Sequence, residues 1–359
     1  MPMQRRTFAQ ALAASALPAQ DKRVAVALLT HEAAPHLGAY LEGLAKTEEV
    51  SSVYLADAGG KVEPSARKAL GAKLAGAYRS PKELFAIHKP QMALVTMEAA
   101  LAPPAITAAL GAGCDVLAEK PACTNLADFE VLVEKARQAR RSLVLALANR
   151  VDPLLLEAKR VVESGAIGKP YGLDLQMVAD QTRLTRPAYH KTWVAQKKRA
   201  GGGHLIWLGI HWLDLAMYLT NSRIREVAGF TANVGGQPLD TEDAAVVALR
   251  FDNGALGTLT SGYYLDRSYH SLVKIWGSEG WLAVQKHTHK PPLEWYSRGE
   301  MHKFEGPAVP AGYTEFVRAI ARASAGLDPW PLTVDDSLYV LKTVFAAYRA
   351  AESGRTQSV

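Results

Sequence analysis

The chain is poor in cysteine, in long apolar runs and in concentrated charge, and each shortage closes off a class of protein. Among 359 residues there are two cysteines, Cys114 and Cys123, with no metal-ligand spacing around them. That excludes a disulfide scaffold and a cysteine-based metal centre, and both thiols are expected to be free; no metal site is expected. No stretch reaches the roughly 18 consecutive apolar residues that a membrane-spanning helix needs, so no membrane span is expected. The net charge is +6, yet the longest basic run is Lys197-Lys198-Arg199, with no interleaved aromatics. Such a balance serves solubility, and nucleic acid is not an expected partner. What remains is globular: 48% hydrophobic, 21% charged and long enough for two domains.

The first twenty residues differ from the rest. Arg5-Arg6-Thr7-Phe8 precedes an alanine-rich, mildly apolar stretch from Ala9 to Ala19. Paired arginines before a short apolar segment resemble a twin-arginine export signal, which implies a periplasmic or otherwise exported protein. The alternative is a disordered tail on a cytoplasmic protein.

From Lys22 to Ala148 strand-type and helix-type segments alternate. Apolar runs at 24–29, 53–56, 93–96, 116–117 and 143–147 read as strands. Segments at 36–46, 66–70, 81–87, 106–112 and 126–139 read as helices, with Ser80 an N-cap. This alternation predicts an α/β domain with a doubly wound parallel sheet, which binds ligands at the carboxyl ends of its strands. Asp57, Thr96 and Lys120 fall at such ends. From residue 149 onward the strands lengthen, at 171–178, 226–234, 244–251, 255–261, 270–276 and 281–285. Turns at Asp252-Asn253-Gly254 and Ser278-Glu279-Gly280 join them. This second domain, 149–359, reads as α+β with a large, mostly antiparallel sheet. An apolar helix at 204–219 interrupts it, and a last helix at 335–351 packs back on the first domain.

Two constellations carry chemistry. In Ala118-Glu119-Lys120-Pro121 a lysine stands at a strand end before a proline, which holds the preceding residue extended. An ammonium so aimed stabilises negative charge that develops beside it. In the interrupting helix, Gly201-Gly202-Gly203 leads to His204, His211 and Asp214. Two histidines seven residues apart share a stripe about 10.5 Å along the axis, with the carboxylate in local reach. The glycine triplet permits close approach of the backbone to a neighbour.

The Glu-Lys-Pro run, the glycine triplet and Gly209-x-His211-x-x-Asp214, in this order, resemble the glucose–fructose oxidoreductase / inositol dehydrogenase / MocA family. Asn149-Arg150, the turn from Ser164 to Pro170 and Gly277-Ser278-Glu279-Gly280 extend the resemblance through both domains. It implies a Rossmann-type first domain and an oxidoreductase that moves a hydride between a nicotinamide cofactor, NAD or NADP, and a carbon of a sugar or polyol. It implies Lys120 as the residue holding the alkoxide and His211 as the general base. Asp57 matches the acid on the adenosine ribose. Thr30, His31, Thr96, Glu119 and Lys120 complete the expected cofactor set. Tyr189, His190, Trp193, His204, Trp207 and Asp214 form the expected substrate set, with Arg183 and Arg186 on the same segment, 181–200. A homo-oligomer is also implied.

The chain departs from the family at two places. Aligned on Val24-Ala25-Val26, the three glycines of the family's phosphate loop become Leu28, Thr30 and Ala33. Losing two charge-assisted contacts costs roughly 3–6 kcal/mol, or about a hundredfold to ten-thousandfold in affinity, unless Thr30, His31 and the helix N-terminus compensate. One turn before His211, Trp207 replaces the family's usual aspartate. Two readings follow: an active oxidoreductase with a remodelled phosphate loop, or a carbohydrate-binding or non-redox acid–base protein on the same fold.

Overall fold

The computed structural model describes residues 22–264, 268–286, 291–306 and 312–359. The twin-arginine stretch lies outside the described residues. The first domain is a βα series: β1 (Val24–Thr30), α1 (Leu37–Lys46), β2 (Val50–Asp57), α2 (Glu63–Leu70), β3 (Leu74–Tyr78), α3 (Pro81–Ile87), β4 (Met92–Thr96), α4 (Ala102–Gly111), β5 (Asp115–Ala118), α5 (Leu126–Ala139) and β6 (Leu143–Leu145). Local chemistry sets these bounds. Ser80 accepts a hydrogen bond from the Glu83 N–H at the start of α3, and Asn125 from the Asp128 N–H at the start of α5. β1 and β4 are buried on both faces, so they are continuous apolar runs rather than alternating ones.

Among the described residues the sheet has the order β3-β2-β1-β4-β5-β6, and its pairs are parallel. The chain starts in the middle and reverses direction between β1 and β4, so the carboxyl ends of those two strands open a crevice. β3 was not expected from the sequence. Its Leu-Ala-Gly-Ala-Tyr run buries only Leu74 fully and sits at the sheet edge.

The second domain opens with α6 (Pro153–Glu163), capped by Asp152, and β7 (Pro170–Asp180). Short helices α7 (Pro187–His190) and α8 (Lys197–Ala200) follow, then α9 (Ile210–Thr220). The remaining elements are β8 (Ile224–Ala232), β9 (Ala244–Phe251), β10 (Leu256–Tyr264), β11 (His270–Gly277), β12 (Gly280–Val284), β13 (Leu293–Ser297), β14 (Glu300–Lys303), α10 (Tyr313–Ser324), α11 (Val334–Ser353) and β15 (Gln357–Ser358). The described strands form one sheet in the order β14-β13-β12-β11-β7-β10-β9-β8-β15. Its pairs are antiparallel except β7 with β10. The expected single helix from 204 begins instead as a π-helical turn, Leu205–Gly209, before α9. α11 contacts α5 and β6.

A buried ion pair fixes the junction. Arg150, just past β6, donates from Nε and Nη2 to the Asp214 carboxylate on α9, at 2.7–3.2 Å. Its Nη1 lies 3.5 Å from Asp336 on α11. Breaking such a pair leaves an uncompensated buried charge. Asp214→Ala is therefore expected to lower unfolding free energy by about 3–5 kcal/mol. A urea titration of wild type against variant measures it, and replacing both partners by apolar residues should recover much of the loss.

Candidate active site

The crevice between β1 and β4 is stitched by side chains. β1 runs through Leu28, which pairs with Leu55 and Leu94, so Leu28 is a strand residue and not part of a phosphate turn. The turn proper is residues 31–36. Burial keeps the His31 imidazole below its ordinary pKa, and its Nε2 accepts from the Glu98 N–H at 3.0 Å. Thr96 Oγ1 donates to the Pro35 carbonyl at 2.6 Å. Thr30 ends β1, buried. The second domain reaches over the same place: Trp193 Nε1 donates to the Ala33 carbonyl at 3.0 Å, and Arg199 pairs with Glu98.

Whether a dinucleotide suits this crevice turns on its donors. His36 occupies the N-cap of α1 with φ 56° and no side-chain cap, so the first-turn N–H groups of α1 have no side chain competing for them. Gly38 in that turn has no neighbour within 4 Å of where a Cβ would stand. Uncapped N–H groups at a helix start, next to open space, fit a pyrophosphate. At the end of β2 the Asp57 carboxylate is oriented by the N–H groups of Gly59 and Val62, at 3.2 and 2.7 Å. An acid so placed fits a ribose diol. The crevice therefore suits the group, with His31 replacing glycine as the piece that shapes the turn.

Lys120 follows β5 and is 2% exposed. Its Nζ donates to the Trp207 carbonyl at 2.6 Å and lies 4.4 Å from the centre of the Trp207 ring. Burial pushes its pKa down to about 8. The carbonyl belongs to the π-helical turn, a feature that recurs at functional sites. Glu242 holds the start of that turn, accepting from Gly203 N–H at 2.6 Å, Leu205 N–H at 3.0 Å and the Tyr348 hydroxyl at 2.7 Å. A Cβ on Gly203 would stand 1.8 Å from the Glu242 carbonyl oxygen, which explains the glycine there.

Around Lys120 the protein leaves polar atoms unpartnered. Glu119 Oε1, Trp207 Nε1, His211 Nδ1 and His204 Nε2 are buried without a hydrogen bond. Burial, then the charge of Lys120, push His211 well below an ordinary histidine, so it is neutral at pH 7. Glu119 Oε1 lies 3.8 Å from Lys120 Nζ, while Oε2 accepts from Tyr40 at 2.5 Å and lies 3.2 Å from His36 Nδ1. Tyr313 reaches the same His36 nitrogen at 2.8 Å.

A cavity of about 180 Å³ opens beside this cluster. The first domain contributes Pro35, His36 and Lys120; the second contributes Arg183, Tyr189, Trp207 and Tyr263 among others. Four of the expected substrate residues stand apart from it. His190 Nε2 is bonded to the Leu184 carbonyl and fixes the loop. Trp193 packs on Trp207, Ala99 and Ala200 and joins the domains. His204 is fully buried behind the cavity, bonded to Ser261 at 2.7 Å and edge-on to Tyr263. Asp214 is taken by Arg150 and does not line the cavity; helical spacing gives its distance from His211 but not this cation, 64 residues away. His36, Glu242 and Tyr263 were missed. Each reaches the site through tertiary packing, and no local pattern marks them.

These ionisations fix how stability depends on pH. Lys120 in the unfolded chain keeps its proton up to the ordinary value of 10.5, whereas the folded chain loses it near 8. Between those values the unfolded state binds more protons, so Lys120 makes stability rise with pH across that window. Lys120→Met is expected to remove that rise, read as the difference between urea midpoints at pH 7.5 and 9.5. His204, pushed down to about 3, acts at the acid side. As pH falls below 6.5 the unfolded chain gains a proton that the folded chain refuses, and stability drops. His204→Asn should flatten the loss between pH 6.5 and 4.

Residues 31–146 match the model described as an oxidoreductase family with an NAD-binding Rossmann fold, and residues 155–283 match the GFO/IDH/MocA C-terminal domain. A myo-inositol 2-dehydrogenase of Thermotoga maritima is 28% identical over 207 residues, covering 57% of this chain and 59% of that relative. The match thus spans less than two thirds of the relative's length. An oxidoreductase domain protein from Kribbella flavida shares the fold with a TM-score of 0.83 at 21% identity, covering 94% of this chain and 99% of that one. The WlbA dehydrogenase of Bordetella pertussis, in complex with NADH and UDP-GlcNAcA, does so with a TM-score of 0.80 at 19% identity, covering 94% and 99%. Two consecutive domain models, matched in order over both halves of the crevice just described, make this chain a member of the GFO/IDH/MocA oxidoreductase family.

Proposed function

We propose that this protein is an NAD(P)-dependent oxidoreductase acting on a CH–OH carbon of a sugar or polyol. The observation that carries the reading is Lys120, with its pKa near 8, on the wall of the interdomain cavity, and behind it a neutral His211 that feels the charge of Lys120 and has a bare Nδ1. In the oxidative direction the carbon gives up a hydride and its hydroxyl gives up a proton. His211 accepts the proton; a neutral imidazole with an unused nitrogen is suited to that. Lys120 holds the oxygen as negative charge develops on it. Its ammonium is already turned to the site by the Trp207 carbonyl and needs little reorganisation. Trp207 offers a flat apolar face to a ring. The nicotinamide, when bound, supplies the hydride acceptor; the α1 N-terminus and Asp57 would hold its pyrophosphate and ribose.

The competing reading, a sugar-binding or acid–base protein without nicotinamide turnover, is favoured by the His31–Glu98 bond across the crevice. The two readings part in one titration of the purified chain with NADH and NADPH, followed by nicotinamide fluorescence. Saturable binding is expected, and none at millimolar cofactor would sink the oxidoreductase reading. Lys120→Ala should then lower kcat by about a hundredfold or more while cofactor affinity stays unchanged. Turnover retained in that variant would remove Lys120 from the mechanism.

A further inference from the structure

The cavity carries a cation that no carboxylate in the described residues neutralises. Arg183 stands on the single turn Gln181–Arg183 that follows β7. Asp180 fixes this turn by accepting from the Thr182 N–H at 2.9 Å. Leu184, 1% exposed, roots it in an apolar cluster with Ala179 and Tyr263. The guanidinium so held lies 5.0 Å from the centre of the Tyr263 ring and donates to the Tyr269 hydroxyl at 3.1 Å. Burial works against its charge, and the hydroxyls of Tyr263, Tyr269 and Tyr189 support it.

The acids in the same wall are occupied elsewhere. Asp243 accepts from the N–H groups of Val234 and Gly235 at 2.8 and 2.7 Å, and Glu242 from those of Gly203 and Leu205. A guanidinium offers five donors in a planar fork, and Tyr269 takes one of them. A half-buried cation that no carboxylate among the described residues pairs with is costly unless a ligand brings negative charge, and this fork matches a carboxylate or phosphate in bidentate fashion. Arg183 and Lys120 both line the cavity, so two cations face one space. That space, about 180 Å³, holds roughly six waters' worth of volume, enough for one sugar ring.

We propose, building on the oxidoreductase reading, that the substrate is an acidic sugar or polyhydroxy acid. Arg183 receives its anionic group and Lys120 the hydroxyl of the reacting carbon.

Acid and neutral partners of one carbon skeleton test this directly. Glucuronate, glucose and glucose 6-phosphate, with gluconate and sorbitol as a second set, are titrated into the full chain by calorimetry. NADH affinity is measured separately. An acid is expected to bind about ten- to a hundredfold tighter than its neutral partner, with the advantage shrinking as salt rises. Arg183→Gln should collapse that ratio toward one, and Arg183→Lys should restore part of it. A phosphate that outbinds the carboxylate keeps the anion and changes its source. Equal binding of acid and neutral partners, a preference that survives in Arg183→Gln, or no binding by any of these compounds overturns the proposal. Failure to bind NADH with the acid preference intact overturns the oxidoreductase reading instead.

Discussion

The hydrogen bond from Lys120 Nζ to the Trp207 carbonyl is the contact on which the site depends. It crosses from the end of β5 in one domain to a π-helical turn in the other, over a sequence separation of 87 residues. A buried ammonium requires an acceptor, and a regular helix offers few carbonyls to spare. The π turn presents one. Glu242 and Tyr348 hold the start of that turn, and Gly203 and Gly202 must lack side chains for Glu242 and Tyr348, respectively, to sit there. The Arg150–Asp214 pair then ties α9, and with it His211, to the turn that leaves β6. The geometry of the candidate site and the packing of the two domains are thus one construction.

The phosphate crevice shows how a Rossmann-type sheet can dispense with its glycine turn. The strand order and the open N-terminus of α1 are kept, and these supply the dipole and the donors. What glycine would leave bare is filled by an imidazole bonded to the Glu98 N–H and by Trp193 and Arg199 from the other domain. The crevice is shaped by tertiary contacts instead of by backbone freedom.

Much of this was legible in the sequence. Alternating apolar runs located five of the six strands of the first sheet, and Lys120, the glycine triplet and His211 stood out by spacing. β3 escaped because a glycine-containing edge strand has little pattern. α10 was readable, with Phe316, Val317, Ile320 and Ala321 on one face, but was passed over. The β13–β14 hairpin is a polar edge with weak alternation. The roles of Asp214, His36 and Glu242 could not be read. Each is decided by a partner brought near only by folding, such as Arg150, 64 residues from Asp214. The phosphate turn was started at Leu28, three residues early and inside β1, because alignment to a glycine pattern cannot register a loop that has lost its glycines.

The central claim is that a desolvated Lys120, pinned to Trp207, forms the heart of an interdomain site. Lysine labelled with ¹³C at Cε lets its ionisation be followed by NMR, with Lys120→Met identifying the resonance. The account predicts a midpoint near 8. A midpoint at the ordinary lysine value of about 10.4 would mean a solvated ammonium, and would contradict it.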